Sequence, residues 1–317
     1  MTDQTVSAPA GASLNRSAAF ASIGVATLLL AMKAFAAWQT GSTAMLGSLA
    51  DTALDLIASI ATLAGVWVAA QPDDSQHRFG HGKAEALAAM FQVVLISISA
   101  LGLAFRAVGQ LLAGGRTEAA GEGILVSGIA MAATLGLLAW QRHVIRRTGS
   151  LAISTDHVHY QSDLLLNLAV IAALALDQYA GVSGADPLFG LLIAGWLAWG
   201  AWGASHQAIE QLMDREWPED KKKRFLEVLA RHPELRGIHD LRTRTSGNRD
   251  FVQFHVWVDA RMSVAAAHDV MDAIEAKLQA EFPGVEILIH PDPEGHVDQG
   301  LAAQPDLTAA EIRRANS

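Results

Sequence analysis

Asp51 with Asp55, and His159 with Asp163, form two i, i+4 pairs inside stretches that are otherwise apolar. Residues four apart on a helix project from one face, so each pair offers two ligand groups side by side. Thr52 and Ser59 extend the first polar seam and Asn167 the second. Three carboxylates and one imidazole make a nitrogen–oxygen shell that suits zinc and also accommodates Cd²⁺, Fe²⁺ or Mn²⁺. The chain has no cysteine, which excludes disulfides, thiolate metal sites and cysteine nucleophiles. Each Asp at the centre of a membrane helix costs about 2.5–3.5 kcal/mol, so three cost on the order of 8–10 kcal/mol that something must offset. A transported cation offsets it; a hydrated cavity or interhelical hydrogen bonds are the plainer alternatives. Matched pairs of ionisable residues at one depth favour a transport path.

Two further groups have ligand chemistry. In the loop QPDDSQHRFGHGKAEAL, Asp74, His77 and His81 fall at i, i+3 and i+7 and can gather round a second ion, or simply be a solvated charged loop. Toward the C-terminus, His239, His255, His268 and His290 each sit on or beside a different predicted element, with Asp292 following in IHPDP. They either converge on an ion at a sheet edge or dimer interface, or are unrelated surface residues. His143, His157, His206, His232 and His296 read as structural or surface residues; His157 lies about 200° round the helix from His159 and faces away from it.

The elements that must position these groups are membrane helices first. The 317 residues are 51% hydrophobic and 17% charged, against about 25% charged in soluble domains. Six apolar stretches reach the roughly 20 residues a spanning helix needs, near 16–38, 44–70, 85–113, 122–145, 153–179 and 186–211. Arg78 and Lys83, then Arg142, Arg146 and Arg147, then Lys221, Lys222, Lys223 and Arg224 lie in or after the even-numbered connections, whereas the odd-numbered ones hold only Arg116. The positive-inside rule therefore puts both termini in the cytoplasm. At 1.5 Å per residue, Asp51 and Asp55 lie roughly 10 and 16 Å below the outer edge. His159 and Asp163 lie roughly 9 and 15 Å above the inner edge of a core about 30 Å thick. Asp51 is expected level with Asp163, and Asp55 with His159. Residues 1–15 are polar without a basic n-region, which reads as a flexible tail and not a cleaved signal peptide. The net charge of −9, with no basic domain, argues against a nucleic-acid partner.

After residue 212 the composition becomes that of a soluble domain. PEDKKKRFLEVLARHP reads as an amphipathic helix, and HDLRTRTSGNRDFVQFHVWVD as two strands joined at Ser-Gly-Asn. In the second strand Val252, Phe254, Val256 and Val258 share one face, and Gln253, His255 and Trp257 the other. A helix N-capped by Ser263 and the strand VEILIH complete an α-β-β-α-β unit over 213–296, a small α+β sandwich with both helices on one sheet face. Residues 297–317 read as a flexible tail. The expected fold is thus a six-helix transmembrane domain over 16–212 followed by a small cytoplasmic α+β domain.

GSLADTALDLIAS, PDDSQHRFGHGKAEAL, DHVHYQSD, LMDR, GIHDLRTRTSG, FVQFHVWVD and ILIHPDP together resemble the cation diffusion facilitator family, specifically its bacterial zinc and ferrous-iron efflux branch. The likeness covers residues 16 to about 293. It implies a homodimeric, proton-coupled antiporter of the bacterial inner membrane with a metallochaperone-like cytoplasmic domain, exporting a divalent metal ion. By that resemblance Asp51, Asp55, His159 and Asp163 form the transport site, and Asp74, His77 and His81 a loop site. His239, His255, His268, His290 and Asp292 form a two-metal site at the cytoplasmic dimer interface, holding Zn²⁺ in a structural or regulatory role. Lys83 and Asp214 match an interhelical charge interlock. Three carboxylates in the transport site depart from the two-histidine pattern of strictly zinc-selective members.

The expected cycle is alternating access, with metal and protons competing for the same ligands and His159 the foremost proton-exchanging group. Two other classes remain as alternatives. An intramembrane metallohydrolase needs an open coordination position and a separate general base, which these segments do not offer. A membrane-anchored sensor that transports nothing needs no ligands at mid-membrane.

Overall fold

The computed structural model describes residues 8–40, 43–112, 124–180, 184–231, 237–247, 249–296 and 307–308, with the side chains of 8–9, 40, 43–48, 124–127, 170, 174–175 and 177–180 left aside. Arg116 and His232 lie outside the described residues. The chain divides into two compact units, Met1–Leu212 and Met213–Ser317, each taken by itself below.

Among its described residues the first unit has six long helices: α1 (Ala8–Thr40), α2 (Thr43–Ala69), α3 (Ala84–Leu112), α4 (Ile124–Thr148), α5 (Leu151–Ala180) and α6 (Ala185–Leu212). Four of them, α1, α2, α3 and α6, are long and apolar enough by themselves to cross a membrane. The 25 residues of α4 and 30 of α5 also suffice at 1.5 Å per residue. What sets these two apart is polarity: α4 carries Gln141 and three arginines, and α5 carries Asp156, His157, His159 and Asp163.

Small residues line the helix contacts. Ala18, Ala19, Ala86, Ala89, Ala152 and Ala208 are buried, as expected where backbones approach closely without a hydrophobic drive between helices. Gly65 is the tightest case. A Cβ there would overlap the Ala88 Cβ and lie 3.1 Å from the Ala84 carbonyl oxygen, so α2 and α3 meet backbone to side chain at this point.

Two helix starts differ from the sequence reading. The N-terminal tail expected over residues 1–15 is helical from Ala8, and α5 begins at Leu151, ahead of the expected 153. The reason is a polar anchor: Asn15 is buried and its Nδ2 donates to Glu85 Oε1 of α3 at 3.2 Å. Glu85 also accepts from Ser150 Oγ at 2.6 Å and from the backbone N–H groups of Leu151 and Ala152. It thereby satisfies first-turn donors of α5, a position that favours a carboxylate.

In the second unit, α7 (Glu219–Leu229) precedes β1 (Gly237–Ser246), β2 (Arg249–Val258), α8 (Val264–Glu281) and β3 (Val285–Pro293). β1 and β2 form an antiparallel hairpin closed at Ser246↔Arg249, with Gly247 in the left-handed region that a two-residue turn demands. β2 and β3 run parallel, joined by α8 as crossover. Ser263 caps α8, its side chain accepting from the Ala266 N–H. Val252, Phe254, Val256 and Val258 pack with Phe225, Leu229, Ile274 and Leu278 of the helices into one core. The opposite sheet face carries Gln253, His255 and Trp257.

The C-terminal stretch corrects another expectation. Within the tail assigned to 297–317, Leu307–Thr308 forms a short strand β4 antiparallel to Gly237–Ile238, giving the sheet order β3-β2-β1-β4. An uncovered edge strand offers unpaired backbone groups, and β4 takes them.

Gly65→Ala should lower the thermal midpoint of the detergent-solubilised protein, at a cost of about 1–3 kcal/mol for the overpacked contact. Gly102→Ala on α3, where a Cβ meets nothing within 4 Å, should leave the midpoint unchanged or raise it.

Candidate metal centres

The antiparallel run of α2 and α5 brings Asp55 and His159 to the same level: Asp55 Oδ1 lies 2.9 Å from His159 Nε2. With Asp163, one turn further along α5, they offer three ligand atoms all within 4.8 Å of one another. His159 is 7% exposed, and its ring meets Tyr160 edge-on at 5.7 Å. Asp51 stands outside this group of three. It is exposed and lies one helical turn from Asp55. Of the polar flanks, Asn167 turns back to its own helix, its Nδ2 donating to the Asp163 carbonyl at 2.9 Å. Ser59 pairs with the Tyr160 hydroxyl at 2.9 Å.

The sequence reading passed over two ionisable groups here. Lys33 of α1 acts electrostatically on Asp163. Asp156 of α5 has no exposed surface. Its Oδ2 accepts from Ser22 Oγ at 2.6 Å and Gln141 Nε2 at 2.8 Å, and its Oδ1 from Gln92 Nε2 at 3.0 Å. The signal was present: Asp156, His159 and Asp163 fall at i, i+3 and i+7 on one stripe. A predicted helix start at 153 placed Asp156 at a boundary, where a carboxylate needs no explanation. His157 does face away from the metal ligands, its Nδ1 lying 3.1 Å from Gln141 Oε1.

The loop group closes as its spacing allows. Asp74 Oδ1 lies 3.4 Å from His77 Nδ1, and Asp74 Oδ2 lies 3.4 Å from His81 Nε2. The two imidazoles are 4.6 Å apart. Asp74 also accepts the backbone N–H groups of His77 and Gln76 at 2.7 and 2.8 Å, an Asx turn that fixes its carboxylate. Those backbone donors, that of His77 foremost, hold the Asp74 carboxyl below the usual carboxylate range. His81 turns its Nε2 to Asp74, while its Nδ1 is buried without a protein partner.

On the sheet, the strand register lines up three histidines, His239↔His255 and His255↔His290, in one row across β1, β2 and β3. Asp292, two residues past His290, is 4% exposed. Its Oδ2 lies 3.0 Å from His239 Nε2 and 2.9 Å from His255 Nδ1, and its Oδ1 lies 3.4 Å from His290 Nε2. His239, His255 and Asp292 likewise offer three ligand atoms all within 4.8 Å of one another. β1 is bulged between His239 and Arg242, with Asp240 at φ +49°, a strained feature of the kind found beside functional sites. His239 Nδ1 is buried and unpartnered. These donors fit zinc: imidazole nitrogens with one bridging carboxylate. His268 is not brought to this row; it lies exposed on α8, 3.7 Å from Asp272.

Lys83 donates to the Leu212 carbonyl at 3.1 Å within the first unit. Asp214, at φ +56°, lies 3.5 Å from Arg244 within the second. Lys83 and Asp214, expected as an interlock, thus fall in different units.

A profile for the cation efflux transmembrane domain matches residues 19–213, and one for the cation efflux protein cytoplasmic domain matches 217–294. The chain belongs to the cation efflux family. A relative from Pectobacterium carotovorum, the cation-efflux pump FieF, is 42% identical over 282 residues, which are 89% of this chain and 94% of that one. The FieF of Serratia proteamaculans is 40% identical over 299 residues, 94% of this chain and 99% of that one. Among solved structures, the metal-bound C-terminal domain of the CzcD transporter from Thermotoga maritima is similar at 29% identity and a TM-score of 0.24, over 25% of this chain and 93% of that one. The two units of this cation efflux protein divide between Leu212 and Met213, where the first profile gives way to the second.

The depressed Asp74 carboxyl contributes loop stability that is complete above its unfolded range and lost only as pH falls through its lowered folded value. Amide protection at Gln76 and His77 should therefore hold from pH 7 down to about pH 4 and collapse in Asp74→Ala, as read by hydrogen exchange. Replacing His239 by Ala in the full chain should remove zinc from the sheet site, with a loss of bound metal per chain in equilibrium dialysis while the intramembrane ligands are intact.

Proposed function

We propose that this protein exports a divalent transition-metal ion from the cytoplasm in exchange for protons. Zinc is the foremost cargo, and Cd²⁺, Fe²⁺ and Mn²⁺ suit the same ligands. The observation that carries the proposal is the Asp55–His159–Asp163 cluster, three ligand atoms within 4.8 Å inside the membrane unit, with exposed Asp51 one turn away as fourth ligand. Membership of the cation efflux family and the pump relatives agree with it.

In this reading the ion arrives with the ligands deprotonated and leaves as protons replace it, since both compete for the same lone pairs. His159 is the imidazole of the set and the natural proton carrier. Alternating access exposes the site first to one side, then to the other. The membrane is the bacterial inner membrane, with both termini cytoplasmic by the arginine and lysine bias of the connections. The chain works as a homodimer through its cytoplasmic domain. Zinc held by His239, His255, His290 and Asp292, with His268 reaching the row of the second copy, would tie the two domains together and make the cycle sense cytoplasmic metal. The loop group Asp74, His77 and His81 would hold a further ion.

The test is metal flux into proteoliposomes, comparing Zn²⁺, Cd²⁺, Fe²⁺ and Mn²⁺. Asp55→Ala and His159→Ala should lower flux at least about a hundredfold, the effect expected of removing a ligand that leaves others unpaired, and Asp51→Ala should follow. An imposed pH gradient should accelerate wild-type flux. Equal rates with and without the gradient would rule out proton coupling; full flux in Asp55→Ala would remove the site itself.

A further inference from the structure

One buried carboxylate is not used by the transport chemistry. Asp156 is fully buried on α5, one turn from His159 and two from Asp163. Its three donors come from three other helices: Ser22 of α1, Gln92 of α3 and Gln141 of α4. Gln92 Nε2 also donates to Thr62 of α2, so the node ties together five of the six helices. A second strand of the network returns to α1 through the Tyr160 hydroxyl, which donates to the Ser22 carbonyl at 3.2 Å. All these donors are uncharged hydroxyl or amide groups, and both Asp156 carboxyl oxygens accept. The node therefore holds by acceptance alone, and removing the acceptor leaves buried amide donors from two helices unmatched.

Its place relative to the metal ligands gives it a direction. Along α2, exposure falls from Asp51 through Asp55 to buried Ala58, Ser59 and Thr62. An exposed carboxylate within an apolar span faces water and not lipid, so the site opens on the Asp51 side. On the opposite side, Ser22, Thr62, Gln92, Gln141 and Asp156 are each at most 1% exposed. Given both termini in the cytoplasm, that closed side is the inner one.

We propose that Asp156 is a positioning residue for transport: by accepting from α1, α3 and α4 it latches the cytoplasmic side of the site shut, and the ion enters only when these donors let go. A latch of hydrogen bonds from uncharged donors suits this task, since water can take the place of each donor on opening. This inference rests on the proposed orientation and transport site.

The experiment uses the absence of native cysteine. Ala58 is 2% exposed and lies between Asp55 and Thr62. In an Ala58→Cys background the single thiol reports the inner side through its reaction with a charged, membrane-impermeant maleimide in inside-out vesicles. With the rest of the chain wild-type, that thiol should be protected. Adding Asp156→Asn keeps the shape but replaces one acceptor by a donor; it should raise the labelling rate about tenfold or more. Ser22→Ala removes one of three donors and should move labelling the same way by less, so the test stands if the Asn variant fails to fold. In flux assays Asp156→Asn should lower the maximal rate while the half-saturating metal concentration is unchanged or reduced, because no ligand is lost. Protection retained in both variants overturns the latch. So does a raised half-saturating concentration with the thiol still protected, which would make Asp156 a ligand. Asp55→Ala serves as the separate control: full flux there sinks the transport site, whereas the labelling rates judge the latch on their own.

Discussion

A carboxylate inside a membrane helix must find its partners inside the membrane, and the first unit is organised around that need. Three acidic residues of this kind, Asp55, Asp156 and Asp163, lie on facing surfaces of α2 and α5, and Glu85 is buried at the start of α3. Each is satisfied differently. Asp55 has an imidazole at 2.9 Å, Asp156 has three neutral donors, and Glu85 has Asn15, Ser150 and the first N–H groups of α5. The differences set their uses. A carboxylate saturated by neutral donors positions the helices that supply them, whereas one paired with a single exchangeable imidazole beside another acid can trade that partner for a cation.

Helix α5 is where these solutions meet. Its N-terminus is held by Glu85 of α3, its next turn by the Asp156 node, and the two turns after that carry the candidate ligands His159 and Asp163. Anchoring below the site fixes the rotation of α5, so that His159 faces Asp55 while His157 is turned to Gln141 of α4. The small residues at the helix contacts, with Gly65 against Ala88 as the extreme, let the bundle close tightly enough for these short side chains to reach one another.

The second unit solves the same chemical problem by other means. It gathers imidazoles by strand register, not helical spacing: one residue from each of three strands falls in a row, and Asp292 reaches all of them. The hydrophobic alternation of β2 puts Val252 to Val258 into the core and by the same pleat forces His255 outward. Core and site are thus two faces of one strand.

From the amino-acid sequence alone come the six membrane stretches, the α-β-β-α-β order, and the ligand pairs on α2 and α5, because those follow from hydropathy, alternation and the 3.6-residue period, which are local. The loop trio was legible for the same reason: Asp74, His77 and His81 lie within one short segment. What only the tertiary structure decided is which distant groups meet. The 2.9 Å contact between the Asp55 carboxylate and the His159 imidazole, the separation of Asp51 from the tight trio, the row formed by His239, His255 and His290, and the absence of His268 from that row all depend on register between elements far apart in the chain. So does the identity of Asp156, an acid near a helix end by its sequence and the centre of a five-helix network once folded. Local periodicity says where a side chain points on its own element; only packing says what stands opposite.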